Sequence, residues 1–496
     1  MSKGKLILVL IAAAIAALVA ILTLPESDRS QGSNEVLVVH CAAGLRLPVS
    51  EIVDAYKKET GRSVQLNFGP SGALEATLEV AGGDLFLPAD RSYIDSAKSK
   101  ELVDEVIPVA YLTAGIAVAR GNPRRIGGLD DLTAEGVKVV LANPEAAVGK
   151  FTRKVLAATG LLDAIEKNVI VTKPTVNEVA ETVELGLADA GIIWDALAHQ
   201  YENVAFVHVP EFDQRRKEAC VGVLRSARNP TRALHFARYL SARDRGHEIF
   251  KKHGYEVPAG DKWSDEPHIA FFSGSMLRPA IEGQVAAFEQ REGVQIATVY
   301  EGCGTLVAQM KSGASPDAYF SCDVKFLNMV QDRFEAGTVV ARNDMVILVP
   351  KGNTKGLHSL EDLAAPGLKL GIAHPEKSAL GDLTVNLLRR VGIYDKIEAT
   401  GNIVLYASKG DELVNQVQVG ALDAAIVYRS NANSTAMIQE TCEIVGIENS
   451  TAFATQPYAV SRKSDYPQLM TRMRDALTAS VGKASFQKFG FYWELE

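Results

Sequence analysis

Gly186-Leu-Ala-Asp-Ala-Gly-Ile-Ile-Trp194 and Gly420-Ala-Leu-Asp-Ala-Ala-Ile-Val-Tyr428 are two versions of one phrase, 234 residues apart. Each reads as a turn followed by a short, wholly apolar strand that ends on a large aromatic residue. Moving outward from this pair, other phrases also recur. Asp84-Leu-Phe-Leu-Pro-Ala-Asp90 returns as Asp317-Ala-Tyr-Phe-Ser-Cys-Asp323, and Asn143-Pro-Glu145 as His374-Pro-Glu376. Gly121-Asn122 returns as Gly352-Asn353, Asp131-Leu132 as Asp362-Leu363, and Glu59-Thr-Gly61 as Arg291-Glu-Gly293. Leu45-Arg-Leu-Pro48 returns as Met276-Leu-Arg-Pro279, and every offset falls between 231 and 234. Collinear matches at a near-constant spacing mean a tandem duplication. The modules are expected at 35–258 and 268–496, after a leading segment 1–34. The joint Val257–Pro267 is rich in helix and strand breakers.

Each module alternates strand and helix. Glu35–Cys41, Ser63–Phe68 and Asp84–Leu87 read as strands. Ser50–Lys58 and Tyr93–Lys100 read as helices, and Leu74, Leu78 and Ala81 are the expected apolar face of the helix between them. Such alternation predicts α/β modules with mostly parallel sheets and helices on both faces. Ligands in these folds sit at strand carboxyl ends, beside helix N-termini.

Composition narrows the function. The chain has 496 residues, 47% apolar and 23% charged, which is an ordinary globular profile. Lys and Arg total 52 against 60 Asp and Glu, a net charge of −8 with no basic tract, so a nucleic-acid partner is not expected. Five cysteines without a C-x-x-C pair support neither a zinc ribbon nor a thioredoxin-type site. Nine histidines form no H-x-x-x-H pair, and nucleotide-binding glycine patterns are absent, so no metal or cofactor is expected. Cys41, Cys220, Cys442 and His40 read as packed residues, and Met310, Met329 and Met345 as core.

The N-terminus points to a compartment. Lys3 and Lys5 precede an uncharged run, Leu6–Leu24. As a helix it would reach about 28 Å, the span of a bilayer core. The exit Leu22-Thr-Leu-Pro-Glu-Ser27 lacks a small-x-small cleavage site, so an uncleaved single-pass anchor is expected. The lysines stay inside and both modules lie outside the cytoplasm, beyond a polar tether from Pro25 to Asn34.

Four turns per module carry small or hydroxyl residues. They are Ala42–Gly44, Gly69–Gly72, Ala147–Gly149 and the end of Ile192–Trp194, echoed by Ser273–Ser275, Glu301–Gly304, Ala379–Gly381 and Ile426–Tyr428. The first three of each set fall between a strand and a helix. Free amides at a helix start, with the dipole behind them, favour an anion. No Lys or Arg sits in these turns, so neutral donors would enclose a small anion. The alternative for each serine is plain helix capping. Recurrence of all four turns favours a site.

This ordered set of turns, with D-x-F-x-x-A-D, G-N, D-L, N/H-P-E and G-x-A-D-A-G-I-x-W/Y between them, resembles the molybdate-binding proteins of ABC transporters. The resemblance covers essentially all of both modules. It implies tandem periplasmic-binding-protein modules of type II, each with two lobes joined by crossing strands and an oxyanion in the cleft. It also implies an ABC permease as partner and a binding rather than catalytic role. Carried over by position, the first module would use Gly44, Ser71, Val148, Val176 and Trp194. The second would use Ser275, Cys303, Leu380, Gly410 and Tyr428. The contacts at Val148, Val176, Leu380 and Gly410 would be backbone amides.

Two departures weaken the first module. Gly44 stands where the family has serine, and Trp194 where it usually has tyrosine. The second module keeps Ser275 and Tyr428 but has Cys303 at the second serine position, and a thiol is a weak donor. The second module is therefore the better candidate. Cys303 and Cys322 are expected first as two small buried residues, with a disulfide or a reactive thiol as the alternatives in an oxidising compartment. Asp90 and Asp323 are expected to cap helices. Besides transport, a ligand-sensing ectodomain working with a separate membrane partner fits the same cleft. An enzyme is disfavoured, because no nucleophile–base pair recurs between modules.

Overall fold

The computed structural model describes residues 36–448 and 452–495. The run Leu6–Leu24 and its tether lie outside the described residues. Among those described, no helix is long and apolar enough to cross a membrane.

Two five-stranded sheets build the first half. In one, Leu37–Ala42 pairs in parallel with Val64–Gly69 and Leu85–Leu87. Lys217–Leu224 then runs antiparallel to Leu85–Leu87 and to Val103–Leu112. In the other, Val139–Ala142 is parallel to Val169–Lys173 and Ala190–Trp194, while Ala114–Ala119 is antiparallel to Ala190–Trp194 and Val204–Val207. The chain leaves the first lobe along Val103–Leu112, enters the second at Ala114, and returns to close the first sheet with Lys217–Leu224. The sheets are therefore mixed, not mostly parallel as expected. The strands that carry the chain between lobes must run against those that βαβ crossovers lay down.

The second half repeats this arrangement with one change. Its crossing strand is unbroken: Thr338–Pro350 pairs with Phe453–Val460 in one lobe and with Ala424–Tyr428 in the other, fusing both lobes into a ten-stranded sheet. Registers repeat with the sequence. Ala42 faces Gly69 and Gly274 faces Glu301 at the same relative step. Asn122 and Asn353 both adopt positive φ, 46° and 39°, and each side-chain amide donates to a carbonyl four residues on, Ile126 or Leu357, at 2.8 Å. Helix limits differ slightly from expectation. Ser50–Lys58 extends to Arg46–Thr60, and on Ser71–Ala81 the residues Leu74 and Leu78 are buried but Ala81 is exposed at the helix end.

Each half has its own apolar core, from Leu37 to Tyr255 and from Ile269 to Phe491. The halves dock through Pro230–Ser241 against Arg278–Glu292. There Glu292 is fully buried and takes Arg238 Nη1 at 3.0 Å and Arg472 Nε at 2.7 Å. Burial opposes its charge, but the two guanidiniums hold its carboxyl below the usual range. Asp261, in the joint, accepts the Gln468 and Leu469 amides at 2.7 and 2.9 Å and so caps the helix Pro467–Thr478.

Candidate functional site

In the first half, Gly44, Ser71, Val148, Val176 and Trp194 line one hollow of about 20 Å³. That is room for a small ion or a water, not for an organic ligand. The remaining wall is small: Ala42, Ala43, Ala89, Ala146 and Ala147, with Thr175 at one side. Sequence reasoning did not single out Ala89 or Thr175. Ser71 opens its helix without capping it, because the N-cap is Pro70 and no side chain caps this end. Its Oγ instead accepts the Ala89 amide at 3.2 Å, which leaves the hydroxyl proton free for the hollow.

Apolar groups fill the ground beside Gly44. A Cβ there would stand 3.0 Å from Val176 Cγ1, 3.4 Å from Trp194 Cδ1 and 3.7 Å from Leu197 Cδ1. Trp194 stacks on Phe151, with ring centroids 6.2 Å apart and planes 18° apart. In the second half the short helix Ser275–Leu277, the counterpart of Ala43–Leu45, lies against the helices Gly410–Gln418 and Arg429–Ala432. Ser275 therefore matches Ala43 rather than Gly44, the match that the sequence register predicts, and Asn431 stands where Leu197 does in the first half. The Asn431 Oδ1 lies 2.5 Å from where a Cβ on Gly410 would sit, so any larger residue there would displace the Asn431 side chain. Asn431 Nδ2 donates to Asp411 Oδ1 at 2.8 Å.

Three polar atoms in this region are buried without a partner: the Tyr428 hydroxyl, Ser430 Oγ and Asn431 Oδ1. A buried hydroxyl normally finds a partner, so each orphan needs an explanation. Burial, and then the nearby Asp323 and Asp382 carboxyls, push the Tyr428 phenol well above its ordinary range, so it stays protonated and able to donate. Burial raises Asp323 and Asp411 as well.

The amides expected to contribute all lie in the first turn of a helix, where the ladder leaves N–H groups free. Val148 is the second residue of Ala147–Thr159, Leu380 the second of Ala379–Arg390, and Gly410 opens Gly410–Gln418; none of these helices has a side-chain cap. Val176 opens Val176–Glu184, where a Thr175–Glu178 capping box satisfies other amides.

Both clefts are closed around the glycines of the second turn. Gly72 N donates to Glu145 O across the cleft at 2.8 Å, and Thr305 N to Lys377 O at 3.2 Å. A Cβ on Gly304 would stand 2.3 Å from Glu376 O, and one on Gly302 would stand 2.7 Å from Lys377 O and 2.8 Å from Ser408 O. In the second half, Lys325–Asp382 at 2.7 Å and Lys409–Glu301 at 3.6 Å also bridge the lobes. No pattern in the sequence marked these rim pairs.

Cys303 and Cys322 are joined by a disulfide, with Cα atoms 6.2 Å apart. This corrects the expectation of two separate buried residues, since strand-end packing brings their turns together. The bonded sulfur has no proton, so the weak donor expected of the Cys303 side chain is absent in this form. Cys41, Cys220 and Cys442 are free and buried. His40 is buried, with Nε2 2.7 Å from Gly82 O. Asp90 and Asp323 cap their helices, accepting the Ser92 and Lys325 amides at 2.9 Å each. Among the described residues no His, Cys, Asp and Glu cluster could hold a metal ion.

The family described as bacterial extracellular solute-binding protein matches residues 37–256 and again 269–492. The molybdate-binding protein ModA of Mycobacterium tuberculosis is 31% identical over 235 residues, which is 46% of this chain and 87% of that protein. A putative ABC transporter substrate-binding lipoprotein of Bacillus subtilis is 27% identical over 259 residues, 49% of this chain and 96% of that protein. The periplasmic molybdate-binding protein of Azotobacter vinelandii aligns at 19% identity with a TM-score of 0.39, covering 45% of this chain and all of that structure.

Proposed function

Because the chain belongs to the bacterial extracellular solute-binding proteins and carries that module twice, we propose that it is a membrane-tethered binding protein for a small tetrahedral oxyanion of the molybdate or tungstate kind. It hands the ion to an ABC permease. The second module is the stronger site, with Ser275 and Tyr428 giving hydroxyls and Leu380 and Gly410 giving amides. The first module offers the Ser71 hydroxyl, the Val148 and Val176 amides and the Trp194 indole N–H around a hollow of about 20 Å³ walled largely by alanines.

The observation that supports this reading is the Tyr428 hydroxyl, protonated, buried and without a partner, in a half whose helices Ala379–Arg390 and Gly410–Gln418 begin without a side-chain cap. An anion that supplies acceptors to both lobes stabilises the closed form over the open one. Uncharged donors confine the charge by geometry and size.

Titration calorimetry of the whole protein with molybdate, tungstate, sulfate and phosphate tests the proposal. Molybdate or tungstate should bind, and Ser275→Ala should weaken that binding about tenfold or more. The melting temperature of ligand-free protein should barely move. A large loss of ligand-free stability would make Ser275 a structural residue, and no binding of any oxyanion would overturn the reading.

A further inference from the structure

The duplication makes each module a control for the other. In the first, Ser71 Oγ accepts the Ala89 amide at 3.2 Å, and both residues wall the hollow. In the second, the same two positions are Cys303 and Cys322, and Cys303 Sγ accepts the Cys322 amide at 3.0 Å. One contact is thus kept in both halves, and in the second a covalent bond has been added to it. The bond lies against the turn that carries Ser275, since a Cβ on Gly274 would stand 3.2 Å from Cys303 Sγ.

Cys303 follows Gly302, whose backbone is pressed on the Lys377 and Ser408 carbonyls of the other lobe. The disulfide is therefore sealed when the lobes meet: Cys303 is 0% and Cys322 4% exposed. Parting the lobes would free Gly302 from those carbonyls and open the approach to that wall.

We propose that the Cys303–Cys322 pair is a redox-modifiable wall of the second cleft, withholding as a disulfide the donor that Ser71 supplies in the first cleft and returning one as a dithiol. This rests on the oxyanion reading given above. Reduction breaks the S–S bond. Each sulfur takes one electron and one proton from a dithiol reductant, which leaves as its own disulfide. The freed Cys303 S–H can then turn toward the ion, as the Ser71 O–H does. Coupling is reciprocal. If reduction strengthens anion binding, the bound anion favours the dithiol at equilibrium, yet by holding the lobes shut it slows attack on the disulfide.

The test uses the full-length protein, oxidised or reduced with dithiothreitol and desalted under argon, and titrated with sodium molybdate and with sodium sulfate. Second-site affinity should rise about tenfold on reduction. The double variant Cys303→Ser/Cys322→Ala should bind at least as tightly as the reduced protein and ignore reductant. Molybdate should slow the release of thiols from the oxidised protein. Equal affinity in both redox forms, or tighter binding when oxidised, overturns the proposal. A double variant that binds no tighter than the oxidised protein does so too, even if reduction impairs folding. Absence of binding in every form, the double variant included, instead overturns the oxyanion reading and the proposal with it.

Discussion

Tyr428 carries a hydroxyl that folding has removed from water without giving it a partner. Leaving such a group unsatisfied costs about 1–3 kcal/mol, and a hydrogen bond to a charged ligand returns about that much. Tyr428→Phe should therefore leave ligand-free stability unchanged or raised while weakening oxyanion binding about tenfold, as melting curves and calorimetry would show. The opposite experiment belongs to the first module. Ala43 holds the place of Ser275 and lines the first hollow, so Ala43→Ser combined with Trp194→Tyr puts two hydroxyls back. This variant should tighten binding at the first site by about tenfold or more, read as a second strong step in the isotherm. The recurring turns were legible in the sequence, but not their register: Ser275 and Ala43 both open their short helices, one residue before the position of Gly44. Asn431 and Asp411 were not legible. Their roles come from a contact across two helix starts, and no spacing in the chain announces it.

Among the elements, the helix starts at Ser71 and Cys303 do two tasks: they wall the cleft and they bear on the opposite lobe. Gly72 and Gly304 recur because a backbone carbonyl of the other lobe stands where a side chain would go. Gly304→Ala puts a methyl group 2.3 Å from Glu376 O, closer than any contact allows, so the second cleft cannot shut fully. The variant should fold normally, bind oxyanion about tenfold more weakly or worse, and show a larger radius of gyration by small-angle scattering with ligand present. The order of strand and helix followed from hydrophobic pattern, and helix ends shifted by only a few residues. Strand direction did not follow. Val103–Leu112, Lys217–Leu224 and Thr338–Pro350 read as apolar strands in any orientation, and the lobe to which the chain returns decides whether they pair parallel or antiparallel. The disulfide was equally hidden, because 19 residues separate its ends and only folding shows that their turns adjoin.

For the whole molecule, the joint between halves is held by a buried carboxylate between two guanidiniums. Glu292→Gln leaves Arg238 and Arg472 without the carboxylate that pairs with both, and loss of one partner from such a cluster costs about 3–5 kcal/mol. Urea denaturation should show that loss, concentrated where the halves meet. Acid acts elsewhere. Burial, with Lys251 adding to it, lowers the His247 pKa from 6.5 to about 4. The unfolded chain therefore binds a proton below pH 6.5 that the folded one refuses until near pH 4. Stability conferred by neutral His247 should thus be whole above pH 6.5 and drain away toward pH 4. Thermal melts across that range should fall more gently for His247→Gln than for the parent.

Glu292, clasped from both sides, ties the duplicated halves together at a buried point and opposes any swivel between them. They should tumble as one particle. A fluorophore rigidly attached to either half would then report the same slow rotational diffusion, and filling one hollow would leave the bearing of the other unchanged. Any docking face that meets the pair would receive both traps at a set angle, like two cups riveted to a single handle.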